Sequence, residues 1–165
     1  MGYFSNIKLN NFRNFENYSL KFSNNCNVFY GKNGSGKTNL LEAISLFSKG
    51  RGLRKDKLTN IIKKNQEKFI LRSNFNNKEI IYNLNSETEK IKTRIKKIIT
   101  VNNDKSIDSL QAFYDITPFL NFLPETERLF QSSPSVRRGL IDQFIFSGKN
   151  NYNKQINKYT RLVQE

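Results

Sequence analysis

Gly31-Lys32-Asn33-Gly34-Ser35-Gly36-Lys37-Thr38 satisfies G-x-x-x-x-G-K-[ST], a glycine-rich loop that cradles the phosphates of a nucleoside triphosphate. Its flanks predict the setting such a loop needs. Asn27-Val28-Phe29-Tyr30 ahead of it is short, apolar and strand-like. Behind it, Leu40, Leu41, Ile44 and Phe47 recur at helical spacing. They predict a helix over 37–49, stopped by Gly50, with Lys49 complementing the negative end of its dipole. Strand, turn and helix N-terminus together form an anion site. Backbone N–H groups of the turn converge on phosphate oxygens, and the positive end of the helix dipole adds to them. In this reading Gly31, Lys32, Asn33, Gly34, Ser35 and Gly36 wrap the phosphates. Lys37 reaches the β- and γ-phosphates, and the Thr38 hydroxyl ligates Mg²⁺. The implied cofactors are ATP and Mg²⁺.

Composition narrows the chemistry around that loop. The 165 residues suit one domain and the start of a second. Hydrophobic residues make up only 36%, yet fourteen Phe and seven Tyr supply material for a core. Histidine is absent, which removes imidazole bases, Ser–His and Cys–His pairs and histidine metal sites. Cys26 is the one cysteine, so no internal disulfide forms; its place before a predicted strand suggests a buried structural thiol. No stretch approaches ~18 uninterrupted apolar residues, and the N-terminus lacks a charged-then-apolar leader pattern. The expectation is a cytoplasmic protein without membrane contact. The net charge of +14 has two readings. One is an anionic partner such as nucleic acid; the other is the Asn, Ile, Phe and Lys bias of an AT-rich genome. Composition alone does not separate them.

Along the rest of the chain, Phe4, Ile7, Leu9 and Phe12 predict a first strand over 3–9. Tyr18, Leu20 and Phe22 alternate with Ser19 and Lys21 in a half-buried second strand. Further strands are predicted over 68–75, 79–84 and 91–101, antiparallel with one wet face. A tight turn at Asn76-Asn77 joins the first two, and Asn102-Asn103-Asp104 turns the chain after the third. From Pro124 the period becomes helical. Pro124 with Glu125 and Glu127 opens a short helix, and Ser133-Pro134 caps another whose apolar face is Leu140, Ile141, Phe144 and Ile145. Tyr152, Ile156, Tyr159 and Val163 mark a last helix. Its pattern still runs at Glu165, so the expectation is a fragment of a longer protein.

Leu9-Asn10-Asn11-Phe12-Arg13-Asn14-Phe15 upstream of the loop, with Thr38-Asn39-Leu40-Leu41-Glu42-Ala43-Ile44 after it, resembles the N-terminal half-head of the RecF/SMC class of ABC-type ATPases. Lys49-Gly50-Arg51-Gly52-Leu53-Arg54 looks like the basic loop after the first helix in the RecF family. Phe122-Leu123-Pro124-Glu125 and Ser132-Ser133-Pro134-Ser135-Val136-Arg137-Arg138-Gly139-Leu140-Ile141-Asp142 look like that family's segment with an S-P-x-x-R-R core. The resemblance covers nearly the whole chain, and the S-P-x-x-R-R spacing is far more specific than the loop. It implies an α/β fold: a P-loop ABC-type ATPase half-head with an antiparallel β subdomain, leading into a helical lid domain. Residues 1–118 would be the N-terminal lobe and 119–165 the truncated start of the lid. The resemblance further implies an ATP-dependent homodimer that binds DNA at single-strand gaps and ss/ds junctions. With RecO/RecR-type mediator proteins it would load the recombinase and support the SOS response. Family members place each ATP between the loop of one subunit and a signature motif of the other, and carry a Walker B acidic pair. Neither motif is visible here. Asp142 is helical and follows no apolar strand, and no Gln stands near Phe122 to Glu125 to sense Mg²⁺. No catalytic residue is therefore assigned; slow DNA-stimulated ATP hydrolysis is expected of the full-length protein.

Other basic residues carry two readings each. Arg13 is implied by the resemblance to approach the nucleotide phosphates; otherwise it is an exposed hairpin arginine. Arg51, Arg54, Lys55 and Lys57 are candidate DNA-phosphate contacts or a solvated loop. Arg138 at helical spacing from Asp142 suits a surface pair, while a DNA or subunit contact of Arg137 and Arg138 rests on the resemblance. Lys90, Lys92, Arg94, Lys96 and Lys97 form either a DNA footprint or the wet side of an edge strand. Scattered aromatics at core periods are read as core. Two rival functions stay open: an ABC transporter ATPase subunit, and a nucleotide-binding module without turnover.

Overall fold

A computed structural model describes residues 2–78, 80–91, 94–122, 133–148, 155, 158–159 and 161–163. Five strands form one antiparallel sheet in the order β2-β1-β3-β4-β5. They are β1 (Tyr3–Phe12), β2 (Phe15–Lys21), β3 (Ile70–Asn77), β4 (Ile80–Ile91) and β5 (Arg94–Val101). Helix α1 (Lys37–Ser45) and the single turn α2 (Leu58–Ile61) lie between β2 and β3, and α3 (Ile107–Ile116) follows β5. The chain divides into two compact units, Met1–Thr117 and Pro118–Glu165. Helix α4 (Pro134–Gly148) belongs to the second, where Phe122 packs on Phe144 with ring centroids 5.6 Å apart.

Alternation decides which face of the sheet is wet. Leu9, Leu71, Ser86 and Ile99 stand in one row across four strands, and Ile7, Ser73, Leu84 and Val101 in the next. All eight are buried. Leu40 and Ala43 from α1, Leu46 and Phe47 from the turn that follows it and Phe113 from α3 complete this core. Rings interlock across it: Phe4 meets Phe47, and Phe75 sits edge-on to both Phe4 and Phe113. Phe12, Phe47, Phe69 and Phe113 are fully buried, each contributing about 1.5–3 kcal/mol relative to exposure. Phe12, Phe47, Phe69, Phe75 and Phe113 are core, as their spacing predicts, whereas Tyr18 and Tyr30 are exposed.

Several local expectations are corrected. Residues 27–30 form no strand: the segment has no regular structure, and Val28 and Tyr30 are 77% and 92% exposed. A strand needs a hydrogen-bonded neighbour, and no described strand lies against this one. Cys26 is exposed rather than buried. The second strand is mostly exposed, with only its Phe15 and Leu20 half-buried. Asn76 and Asn77 stay in the ladder, and the chain turns one step later, where Asn77 faces Ile80 and Lys78 takes φ 55°. The strand predicted over 91–101 is split, since β4 runs to Ile91 and β5 restarts at Arg94. Helix α1 stops at Ser45, short of Lys49, and exposes Leu41 while burying Glu42. Helix α3 was not foreseen; Ser106 caps it by accepting from the Ser109 N–H, with Asp108 in its first turn. The turn at Asn102-Asn103-Asp104 forms as read, both asparagines at positive φ. The helix opened by Pro134 forms as well, whereas Pro124, Glu125 and Glu127 lie outside the described residues.

Candidate functional site

The loop residues 31–38 lead directly into α1. Gly36 is the N-cap of that helix at φ 99°, a left-handed conformation that favours glycine. A Cβ there would stand 2.7 Å from Phe15 Cζ and 3.1 Å from Asn14 Nδ2, so the turn of β1 into β2 presses on the loop. Gly34, at φ 82°, has open space around it. No side chain caps α1, which leaves first-turn N–H groups available. Lys37 Nζ donates to the carbonyl oxygens of Gly31 (2.7 Å) and Lys32 (2.9 Å), holding its charge across the loop. Thr38 is exposed beside it. The structure thus brings Gly31, Lys32, Asn33, Gly34, Ser35, Gly36, Lys37 and Thr38 together around one helix end.

Beneath the loop lies an ion network that sequence reading did not foresee. Arg13 occupies the two-residue turn between β1 and β2, at φ 51°. Its Nε and Nη2 donate to the two oxygens of Glu42 at 2.9 and 2.7 Å. Nη2 also reaches Asp56 Oδ2 at 2.9 Å, and Nη1 donates to the Asn60 carbonyl at 3.0 Å. Glu42 is fully buried on α1, and this forked pair is what makes its burial tolerable. The Glu42 carboxylate holds the Arg13 guanidinium above its ordinary pKa. Bonds from Asn60, the Lys57 N–H and Arg13 hold the Asp56 carboxyl below its own.

Arg54 joins the same network, which separates it from the other candidate DNA contacts. Its Nη1 donates to Asn39 Oδ1 at 3.0 Å and lies 3.5 Å from Glu42. Asn39 in turn donates to Asn14 Oδ1 at 2.8 Å. A groove of about 570 Å³ opens here, lined by Arg13, Asn14, Asn39, Arg54, Asn60 and Lys64. Arg51, Lys55 and Lys57 are exposed on the loop beyond α1, Lys55 at φ 53°.

The far end of α1 is closed by Lys97. From β5 its Nζ donates to the carbonyls of Leu46 (2.9 Å), Ser48 (3.2 Å) and Gly50 (2.7 Å). Leu46 is the C-cap of α1 and Ser48 and Gly50 lie in the turns after it, so Lys97 ties down the exit of the helix, where a cation also suits the dipole. Burial pushes the Lys97 ammonium down to about 8. The predicted stripe of basic residues is corrected accordingly: Lys97, not Lys49, holds the helix end, and Lys97 faces the core. Neighbours in a strand alternate, so Lys96 points out while Lys97 points in. Arg94 is exposed; Lys92 and the Lys90 side chain lie outside the described residues. In the second unit Arg137 and Arg138 are exposed on α4, where Arg138 Nε donates to the Pro134 carbonyl at 3.4 Å.

Residues 3–116 match the family model of the RecF/RecN/SMC N terminal domain. The chain is similar to the DNA replication and repair protein RecF of Rickettsia massiliae (strain Mtu5), 35% identical over 161 residues, 96% of this chain and 43% of that protein. RecF of Rickettsia prowazekii (strain Madrid E) is likewise 35% identical, over 162 residues. Among solved structures, the recombination mediator protein RecF-ATPrS of the RecFOR pathway superposes with a TM-score of 0.75 at 31% identity, covering 97% of this chain and 42% of that one. Its RecF-ATP counterpart gives 0.73 at 31% identity. The chain spans less than half the length of these relatives.

Proposed function

Since this chain belongs to the family of RecF/RecN/SMC N-terminal domains and has that family's ABC-type ATPase fold, we propose that it is the ATP-binding part of a DNA replication and repair protein of RecF type. The observation that carries this reading is the end of α1: an uncapped helix N-terminus, a left-handed Gly36 and the Lys37 ammonium converge on one exposed spot. Similar proteins whose structures are described with ATP or an ATP analogue support ATP as the occupant.

In this reading backbone N–H groups of residues 31–38 and Lys37 hold the phosphates, and Thr38 offers its hydroxyl to Mg²⁺. The metal would neutralise charge on the β- and γ-phosphates. The groove under Arg13 and Arg54 gives the rest of the nucleotide room beside the loop. Arg13 contacts a phosphate by exchanging one of its carboxylate partners. Arg51, Lys55 and Lys57, exposed and without ion-pair partners among the described residues, are the DNA contacts of the basic loop. The whole protein acts in the cytoplasm as an ATP-dependent homodimer with RecO/RecR-type mediators, loading the recombinase and supporting the SOS response at slow, DNA-stimulated turnover.

Retention of gapped duplex DNA by the full-length protein tests the reading. It should require Mg-ATP and vanish in Lys37→Ala. Equal retention with and without nucleotide would contradict it.

A further inference from the structure

The outward face of the sheet carries an arrangement that folding alone disfavours. The register of β1 on β3 sets Lys8 directly opposite Arg72. The register of β1 on β2 sets Lys21 opposite Asn6, one step along the same face from Lys8. Ile7 and Leu9 on either side of Lys8 are buried, so Lys8 and its two basic neighbours point away from the core, and all three are exposed. Like charges facing each other across an antiparallel pair destabilise it. No acid pairs with them: among the described residues none lies within ion-pair distance of Lys8, Lys21 or Arg72, although Glu87 stands diagonal to Arg72 on the same face. Their neighbours in the register are neutral hydrogen-bonding groups, Asn6, Ser19, Asn74 and Asn85. The acids of β4 lie farther along, Glu87 opposite Ile70 and Glu89 opposite Lys96.

Neighbouring strands lie about 4.8 Å apart, so the three cations cross roughly 10 Å of sheet in a diagonal line over β2, β1 and β3. A line of cations interleaved with amides and a hydroxyl suits a phosphodiester backbone. Arginine and lysine take phosphate oxygens, and neutral groups add uncharged hydrogen bonds to phosphate and sugar. An acidic protein segment would also want apolar pockets between its charges, and this row offers none. We propose that the outward face of β2-β1-β3 binds the phosphate backbone of DNA along the line Lys21–Lys8–Arg72. The partner's identity rests on the DNA-repair reading above; the surface itself rests on the register. It is separate from the basic loop, whose root at Gly50 is tied by Lys97 to the opposite, core-facing side of the sheet.

The test uses the full-length protein in Mg-ATP, with duplex DNA binding followed by fluorescence anisotropy over a range of salt. In Lys8→Ser/Lys21→Ser/Arg72→Ser the slope of log K against log salt should become shallower by up to ~2.7, at ~0.9 for each of three lost phosphate contacts. Nucleotide affinity should be unchanged, and the thermal midpoint equal or higher, because the facing charges are gone. That pairing of weaker DNA binding with undiminished stability is what a merely structural role would not produce. Arg72→Thr alone, a good strand former, should lose about one contact's worth of slope and melt no lower than its parent. If the parent binds DNA and both variants keep its salt slope, this surface is overturned while the ATP-binding reading stands. Loss on poly-glutamate or on an RNA duplex with the DNA slope intact overturns it too. A parent that binds no DNA in any nucleotide state overturns the DNA reading and this inference together.

Discussion

The two ends of α1 follow opposite rules. At the N-terminal end the cap is Gly36, no side chain accepts from the first turn, and the donors are left open. At the C-terminal end the backbone N–H groups of Leu46, Phe47 and Ser48 meet the last helical carbonyls, and Lys97 takes those of Leu46, Ser48 and Gly50 just beyond, so the acceptors are consumed. With glycine at the cap, forgoing a side-chain cap costs only about a few tenths of a kcal/mol, and it leaves the first-turn N–H groups without a side-chain partner. Midway, Glu42 pins the helix to Arg13 and so fixes where those donors aim. In the proposed reading one end is kept for a ligand, the other for the fold.

Four substitutions test this contrast, in decreasing order of effect on stability. Glu42→Ala removes the forked partner of a largely buried guanidinium, leaving it Asp56 as its acid partner, and should cost about 3 kcal/mol in urea unfolding of the full-length protein. A loss below about 1 kcal/mol would mean the helix is aimed by something else. Gly36→Ala places a Cβ at φ 99° against Phe15. It should cost about 1–2 kcal/mol from the backbone alone, and ATP affinity should fall with it. Lys97 sharpens the comparison through pH. Its folded pKa, about 8, lies below the ordinary 10.5, so between these values the unfolded chain holds more protons. Stability should therefore rise with pH across that window, and the rise should be missing in Lys97→Met. Urea midpoints of both proteins between pH 7 and 10 read it directly. Thr38→Val, at an exposed position, should change stability by no more than about 0.5 kcal/mol. Yet ATP affinity should lose its magnesium dependence. Identical magnesium dependence in both proteins would remove Thr38 from the metal.

How much of this was legible in the sequence follows from the range of the interactions involved. The loop was, because positive φ at glycine and a helix start are local requirements written into adjacent residues. The inward rows of the sheet were too, since alternation is a period of two. Its ends were not: Asn76-Asn77 has turn chemistry, but the ladder continues through it because its partners on β4 extend further. The apolar pattern at 27–30 also read as a strand, and a pattern does not supply a neighbour. The network under the loop was invisible for the same reason. Glu42 and Asp56 are 29 and 43 positions from Arg13, and each looks like an ordinary surface acid. Lys97 sat in a basic run that suggested a surface, and only the parity of β5 turned it inward.

The central claim is that the open end of α1 is a nucleotide site organised around Lys37. Titration calorimetry of the full-length protein with Mg-ATP tests it most directly. The account predicts saturable binding by the parent and its loss in Lys37→Ala with the fold intact; equal affinity in the two proteins would contradict it.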